Sequence, residues 1–226
     1  MPSTGVASFL DIGCGSGLPS LAAGRLGAAR IYAVDIDPQS VVTTHSVLNS
    51  AHDFRTQWNA EATDAFNLDP GRHGRFDIVY SWGVLHHTGK MWAALRRSAA
   101  MVKPGGLLAI ALYRKTRLDR FWSIEKRCYA FAPKPVQAAM RVGYRAALRS
   151  KNFILRKATE APGRGMDFNH DVHDWLGGFP YETASAKEVD DFVVTLGFVA
   201  ERVVARPTSL GLFGSDCNEY VCRRTG

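Results

Sequence analysis

The chain has 226 residues, an apolar fraction of 46% and a formal net charge of +7. That size and apolarity support one packed α/β domain with room for an insertion, and they exclude a chain without a core. No apolar run of about eighteen residues occurs, so no spanning helix is expected, and "MPSTGVAS" lacks the basic-then-apolar pattern of a secretory leader.

In chain order, "SFLDI" (8–12) reads as a strand, followed by a helix from about Leu18 to Leu26 with Pro19 in its first turn. "RIYAVDI" is a second strand, and Pro38 opens a helix reaching about Ser50. "TQWNA" is a weak third strand, "RFDIVYS" a strong fourth, "MWAALRRSAAMV" a helix, and "GGLLAIALY" a fifth strand after the Pro104-Gly105 turn. Such alternation predicts a parallel sheet covered by helices on both faces. A helix from about Ser185 to Leu196 and two strands, "GFVAERVVA" and "NEYVCRR", end the chain. The expected organisation is a core over 1–112, a helical insertion or substrate cap over 113–183, and a return to the core over 184–226.

The insertion holds most of the charge. Thirteen bases and two acids lie between Arg114 and Lys157, a local balance of +11 that leaves −4 elsewhere. "RLDRFWSIEKRCYAFA" is expected to place Leu118, Phe121, Trp122, Cys128 and Tyr129 on one helical face. After "PKP" a second helix carries Val136, Met140, Tyr144 and Leu148 as an apolar stripe, with Arg141, Arg145 and Arg149 on an adjoining face. Apolar faces beside arginines fit either a cap packed on the core or peripheral contact with an anionic membrane.

The stretch "FLDIGCGSGLPSLAAGRLGA" sets the cofactor question. Gly13, Gly15 and Gly17 follow G-x-G-x-G, whereas a dinucleotide site needs glycine where Leu18 stands, and a phosphate loop needs a terminal G-K-[ST]. Asp11 stands two residues before the first glycine, and a carboxylate beside a diphosphate meets like-charge repulsion. A ligand with an ammonium, a sulfonium and no phosphate fits, and S-adenosylmethionine is such a ligand. Asp35 ends the second strand, where a carboxylate accepts from ribose hydroxyls, with Ile36 beside it for the adenine face.

Together with "YAVDID", "FDIVYSWGVLHHTG", "MVKPGGLLAIAL", "RGMDFNHDVHDWLGGFPYE" and "CNEYVCRR", this loop resembles the class I S-adenosylmethionine-dependent methyltransferases, with later segments similar to bacterial quinone-biosynthesis-type members. The resemblance implies a Rossmann-like, doubly wound, seven-stranded sheet in the order 3-2-1-4-5-7-6, its last two strands antiparallel, and a helical insertion after the fifth. It implies that Asp11, Gly13, Cys14, Gly15 and Gly17 meet the methionine half and that Asp35 and Ile36 meet the nucleoside. The backbone near Ser81 is expected to touch the methionine moiety. For the adenine amino group either Glu61 or Asp64 is placed suitably; Glu61, with Ala62 next to it, fits the strand end better. Class I enzymes usually carry at least one helix before the glycine motif, so the few residues ahead of the first strand suggest a truncated or late-start version.

On the acceptor side, His86 and His87 are the candidate bases, and Trp82 a candidate wall. His170, Asp171, Asp174, Trp175 and Asn218 are candidate substrate contacts; a docking loop is the plainer reading of that segment. His170 and His173 beside two aspartates raise a metal site only weakly, and none is expected. Cys14, Cys128, Cys217 and Cys222 show no zinc spacing and fit a reduced, cytoplasmic compartment. The expected activity is methyl transfer to a small or lipid-like acceptor. Two alternatives stay open. One is an RNA methyltransferase, for which the basic insertion speaks and the absence of an N-P-P-Y-type motif after the fourth strand does not. The other is a cofactor-binding protein without chemistry.

Overall fold

The computed structural model describes residues 7–51, 56–154, 172, 175–207, 209–212 and 214–226, with backbone only for 151–154. The chain forms two compact units, one of residues 1–114, 184–207 and 216–226, the other of 115–183 and 208–215.

The first unit is built on a seven-stranded sheet in the order β3-β2-β1-β4-β5-β7-β6, the order that the resemblance implied. Its strands are β1 Ser8–Ile12, β2 Arg30–Asp35, β3 Gln57–Ala62, β4 Phe76–Trp82, β5 Val102–Tyr113, β6 Phe198–Val204 and β7 Cys217–Arg224. β1 pairs in parallel with β2 and with β4, and all five of its residues are buried, as a central parallel strand requires. β7 runs antiparallel between β5 and β6.

The helices of this unit are α1 Leu18–Arg25, α2 Pro38–Ser50, the one-turn α3 Pro70–His73, α4 Met91–Ala100 and α7 Ala186–Thr195, numbered after α5 and α6 of the second unit. Asp37 caps α2, accepting from the N–H groups of Gln39 and Ser40 at 3.0 and 3.2 Å. Ser185 and Glu188 form a reciprocal capping box at the start of α7. One apolar cluster joins Leu10, Ile12, Val79, Leu108 and Ile110 of the sheet to Leu95 of α4 and Val193 of α7. Each such side chain, wholly withdrawn from water, contributes about 1.5–3 kcal/mol. The sequence reading extended α4 through Val102; Met101 ends the helix instead and Val102 already pairs with Phe76 in the sheet.

The second unit contains α5 Asp119–Phe131 and α6 Lys134–Ile154. Its core joins Tyr129 of α5 to Val172 and Leu176, with Met140, Tyr144 and Leu148 of α6 packed against them. The expected single face of α5 divides in two. Trp122, Lys126 and Tyr129 are buried at i, i+4, i+7 spacing, whereas Phe121, Ile124, Cys128 and Phe131 are exposed on the other side of the helix. Val136 is likewise exposed at the start of the α6 stripe. Residues 208–215, between β6 and β7 in sequence, belong to this unit: the Trp122 indole donates to the Gly211 carbonyl, and Gly211 (φ +75°) lies so close that a Cβ would fall 2.4 Å from the Thr116 hydroxyl.

Candidate active site

A cavity of about 340 Å³ opens at the carboxyl ends of β1, β2 and β4. This is where open α/β sheets place ligands, at the reversal of strand order between β1 and β4. Ile12 and Gly13 form its floor, Asp35 and Ile36 one side, Thr63 to Phe66 the second, and Gly83, Val84, His87 and Thr88 the third. Its volume suits a small-molecule site.

Of the glycine loop, Gly13 lines the cavity, whereas Cys14, Gly15 and Gly17 do not. Gly13, Gly15 and Gly17 all have positive φ, at 76°, 52° and 75°, a conformation that costs other residues strain. Gly13 has a second constraint, because a Cβ there would lie 2.2 Å from a Val84 methyl. The N–H groups of Gly13 and Cys14 both donate to the Val34 carbonyl, tying the loop to the end of β2. Cys14 is buried beneath the loop, and burial pushes its thiol up to about 11.

Asp11 is 1% exposed and lies behind the loop rather than on the cavity surface. The Ser20 hydroxyl donates to its Oδ2 at 2.7 Å, while Oδ1 is buried with no partner. Burial pushes its carboxyl up to about 7, against the opposing Ser20 hydrogen bond. Asp35, by contrast, stands on the cavity wall with its carboxylate already oriented. Its Oδ2 accepts from the Gly15 N–H at 2.9 Å and its Oδ1 from the Asp37 N–H at 3.0 Å, which leaves a lone pair on each oxygen for a ligand donor. Ile36, 73% exposed, presents an apolar face beside it.

The two adenine-side candidates, Glu61 and Asp64, are placed differently. Glu61 is turned away from the cavity: the Tyr32 phenol donates to its Oε2 at 2.5 Å, and Arg72 stands 3.6 Å from Oε1. Neither Glu61 nor Ala62 lines the cavity, whereas Asp64 does. Asp64 also caps the 3-10 turn Ala65–Asn67 through the Phe66 N–H, and the Phe66 side chain lines the cavity. Sequence reading did not single out Thr63, Phe66, Val84 or Thr88; the run "TDAF" directly after β3 was the available signal for the first two.

The two histidines separate. His86 is buried, its ring centroid 3.8 Å from that of Tyr113, and its Nδ1 accepts from the Tyr113 N–H at 3.3 Å. It does not line the cavity. His87 lines the cavity, with the Tyr113 ring edge-on at 5.2 Å. Ser81 is buried, donating to the Ile12 carbonyl at 3.0 Å, and so joins β4 to the floor from below. Trp82 stacks on Tyr80 at 6.0 Å rather than walling the cavity. Asn218 is consumed by the sheet: its Oδ1 accepts from the Arg206 N–H and its amide donates to the Tyr220 hydroxyl. Trp175 belongs to the second unit, packed edge-on to Trp122 at 5.6 Å. His170, Asp171, His173 and Asp174 lie outside the described residues. Among the described residues no group of three or more His, Cys, Asp or Glu side chains is placed to hold a metal.

Residues 10–108 match the family model described as a methyltransferase domain. The chain is 35% identical over 113 residues to the ubiquinone biosynthesis O-methyltransferase of Xanthomonas campestris pv. campestris (strain B100), covering 49% of this chain and 44% of that protein. It thus spans less than half the length of the curated relatives it matches. Among solved structures, magnesium protoporphyrin IX methyltransferase from Synechocystis PCC 6803 with bound SAH aligns at a TM-score of 0.58 and 17% identity, over 98% of this chain and 74% of that one. The 4+2 cyclase SpnF aligns at 0.59 and 14%, over 99% and 76%, so the fold alone serves more than one chemistry. Residues 10–108, somewhat less than half of the chain, thus match a methyltransferase domain, and the chain shares the fold of these solved proteins.

Proposed function

We propose that the chain binds S-adenosylmethionine in the cavity and transfers its methyl group to a small-molecule or lipid-like acceptor. The observation that carries this reading is the charge of the site. Among the described lining residues two are acids, Asp35 and Asp64, and none is Lys or Arg. Such a wall repels a diphosphate and suits a cationic nucleoside ligand. The residues also fit the group in detail. Asp35 offers two oriented oxygens to a ribose diol, Ile36 and Phe66 offer apolar faces to a base, and Asp64 offers a carboxylate to an exocyclic amine. The buried, unpartnered oxygen of Asp11 supplies a negative field behind the loop for the ammonium.

When bound, S-adenosylmethionine supplies a methyl group activated by its sulfonium. The protein's own part is positioning. The glycine loop and Val84 fix one end of the ligand, and the Asp35 carboxylate fixes the other. His87 is the cavity residue suited to take a proton from an acceptor hydroxyl, its ring nitrogen receiving the proton as the oxygen's lone pair is freed for attack. The curated relative's name, ubiquinone biosynthesis O-methyltransferase, supports a lipid-like acceptor and transfer to oxygen.

The same reading extends to a membrane contact through the second unit. On α5, Phe121, Ile124 and Phe131 are 57%, 65% and 75% exposed, with the exposed Arg120 and Arg127 alongside. Because Trp122 and Tyr129 fill the unit's interior from the opposite side, the exposed stripe is a separate surface, with the composition of a helix that lies on anionic lipid. Among the described residues no helix is long and apolar enough to cross a membrane.

Incubating the protein with methyl-labelled cofactor and a lipid extract, followed by mass spectrometry, tests the activity. A labelled, extractable product that disappears with Asp35→Ala is expected. Cofactor binding without any labelled product would favour a binding protein without methyl transfer, and label appearing in added RNA would favour the RNA reading.

A further inference from the structure

Thr43 and Thr44 are neighbours on α2, and their hydroxyls are used differently. Thr43 donates to the Gln39 carbonyl at 2.9 Å, the usual back-bond of a threonine to its own helix. Thr44 forgoes that bond. It is fully buried, and its Oγ1 lies 3.1 Å from the Gly15 carbonyl and 3.3 Å from Cys14 Sγ, both in the glycine loop. A hydroxyl has one proton, and a carbonyl is a better acceptor than sulfur. The consistent arrangement is a chain in which the Cys14 thiol donates to Thr44 Oγ1 and Thr44 donates to the Gly15 carbonyl. The raised thiol keeps its proton for that role. Gly15 is thereby held from both sides, because its N–H already donates to Asp35 Oδ2 at 2.9 Å. Thr44 also sets the closest approach of the next glycine, since a Cβ on Gly17 would lie 2.9 Å from Thr44 Cα.

We propose that Thr44, which does not line the cavity, is a positioning residue for it: the Thr44 hydroxyl locks Gly15 in its left-handed conformation and, through the Gly15 N–H, aims the Asp35 carboxylate at the ligand. The ligand half of this inference rests on the cofactor reading above; the loop half does not. Thr44→Val keeps the shape and removes the donor, leaving the Gly15 carbonyl without its partner. Thr44→Ser keeps the donor and removes the methyl.

The experiment is a calorimetric titration of wild type, Thr44→Val and Thr44→Ser with S-adenosylhomocysteine, paired with amide hydrogen exchange of the segment 13–17 in the unliganded proteins. Thr44→Val is expected to bind about tenfold more weakly, the effect of one lost hydrogen bond, and to exchange the loop amides faster. Thr44→Ser is expected to stay within about twofold of wild type in both. A Val variant with lower melting temperature but wild-type affinity and loop exchange, or a Ser variant no better than Val, overturns the proposal. If wild type does not bind S-adenosylhomocysteine, the cofactor reading fails, and loop exchange alone decides whether Thr44 holds the loop. Should Thr44→Val not fold, Thr44→Ala removes the same donor and is read against Thr44→Ser in the same way.

Discussion

Asp11 in the sheet unit and Lys126 in the helical unit are both deeply buried ionisable side chains, and burial acts on them in opposite senses. The Asp11 carboxyl is pushed up to about 7 and the Lys126 ammonium down to about 7, each towards its neutral form. Their surroundings differ. Lys126 is provided for by its own unit: Nζ donates to the Trp175 carbonyl and lies 3.6 Å over the Trp175 ring and 5.3 Å from that of Tyr181. The neighbouring Glu125 draws its pKa partly back up. Asp11 has Ser20 on one oxygen and nothing on the other. The first arrangement is complete as a piece of fold. The second leaves one buried carboxylate oxygen unpartnered, and on the cofactor reading proposed above that oxygen faces the ligand's positive charge.

The largest expected effect lies on the wall that Asp11 backs. On the proposed cofactor reading Asp35→Ala removes two charge-assisted hydrogen bonds to the ligand, each worth about 1.5–3 kcal/mol, and it also strips the Gly15 N–H of its acceptor. Affinity for S-adenosylhomocysteine should fall by at least about 100-fold in calorimetry, with the far-ultraviolet spectrum unchanged. Retained affinity would move the ribose elsewhere.

Asp11→Asn comes next and separates stability from binding. The folded-state pKa of Asp11 lies above its unfolded value of 3.8, so the unliganded wild type loses stability as pH rises from about 4 to about 7. Asn cannot ionise. The variant should therefore be the more stable protein at pH 8, by on the order of 2–4 kcal/mol, while binding the cationic cofactor more weakly. In wild type, affinity should fall as pH drops below about 7, since the ligand's positive charge favours the ionised carboxyl. Melting curves and titrations between pH 5 and 8 check both; a variant less stable at pH 8 would contradict the assignment.

Lys126→Met sharpens the contrast with the opposite sign. The folded-state pKa of Lys126 lies below its unfolded 10.5, so its contribution is present above that pH and is lost as pH falls through about 7. Wild-type stability should climb between about pH 7 and 10.5, and the Met variant should flatten that climb without changing cofactor affinity. Affinity that follows the Met substitution would mean that Lys126 serves the ligand after all. The smallest effect is expected at a surface cap: Ser185→Ala should cost about 1 kcal/mol in denaturant titrations and leave binding alone.

The legible parts of the molecule are those in which the determining contacts are local. β1, β2 and β4 are short apolar runs ending at Asp11-Ile12, Asp35 and Trp82, and Pro19 and Pro38 mark the first turns of α1 and α2. The geometry of the glycine loop was legible directly, because an alternating glycine pattern demands positive φ, and Asp35 and Ile36 stand at the end of β2 beside the cavity. The order of the last two strands came from resemblance, since periodicity does not encode pairing. Where a distant partner decides, the sequence did not show the contact. Glu61 faces Tyr32 from a neighbouring strand, Asn218 is claimed by Arg206 and Tyr220, and His86 by the Tyr113 N–H. On α5 the sequence holds two apolar faces, and only packing decides which one, that of Trp122 and Tyr129, is buried.

The most direct test is a pair of titrations of the wild-type protein, one with S-adenosylhomocysteine and one with NAD. A site walled by Asp35 and Asp64, backed by Asp11 and free of Lys or Arg among its described lining residues, should bind S-adenosylhomocysteine at one equivalent and give no heat with NAD. Saturable binding of NAD with no response to S-adenosylhomocysteine would contradict the account.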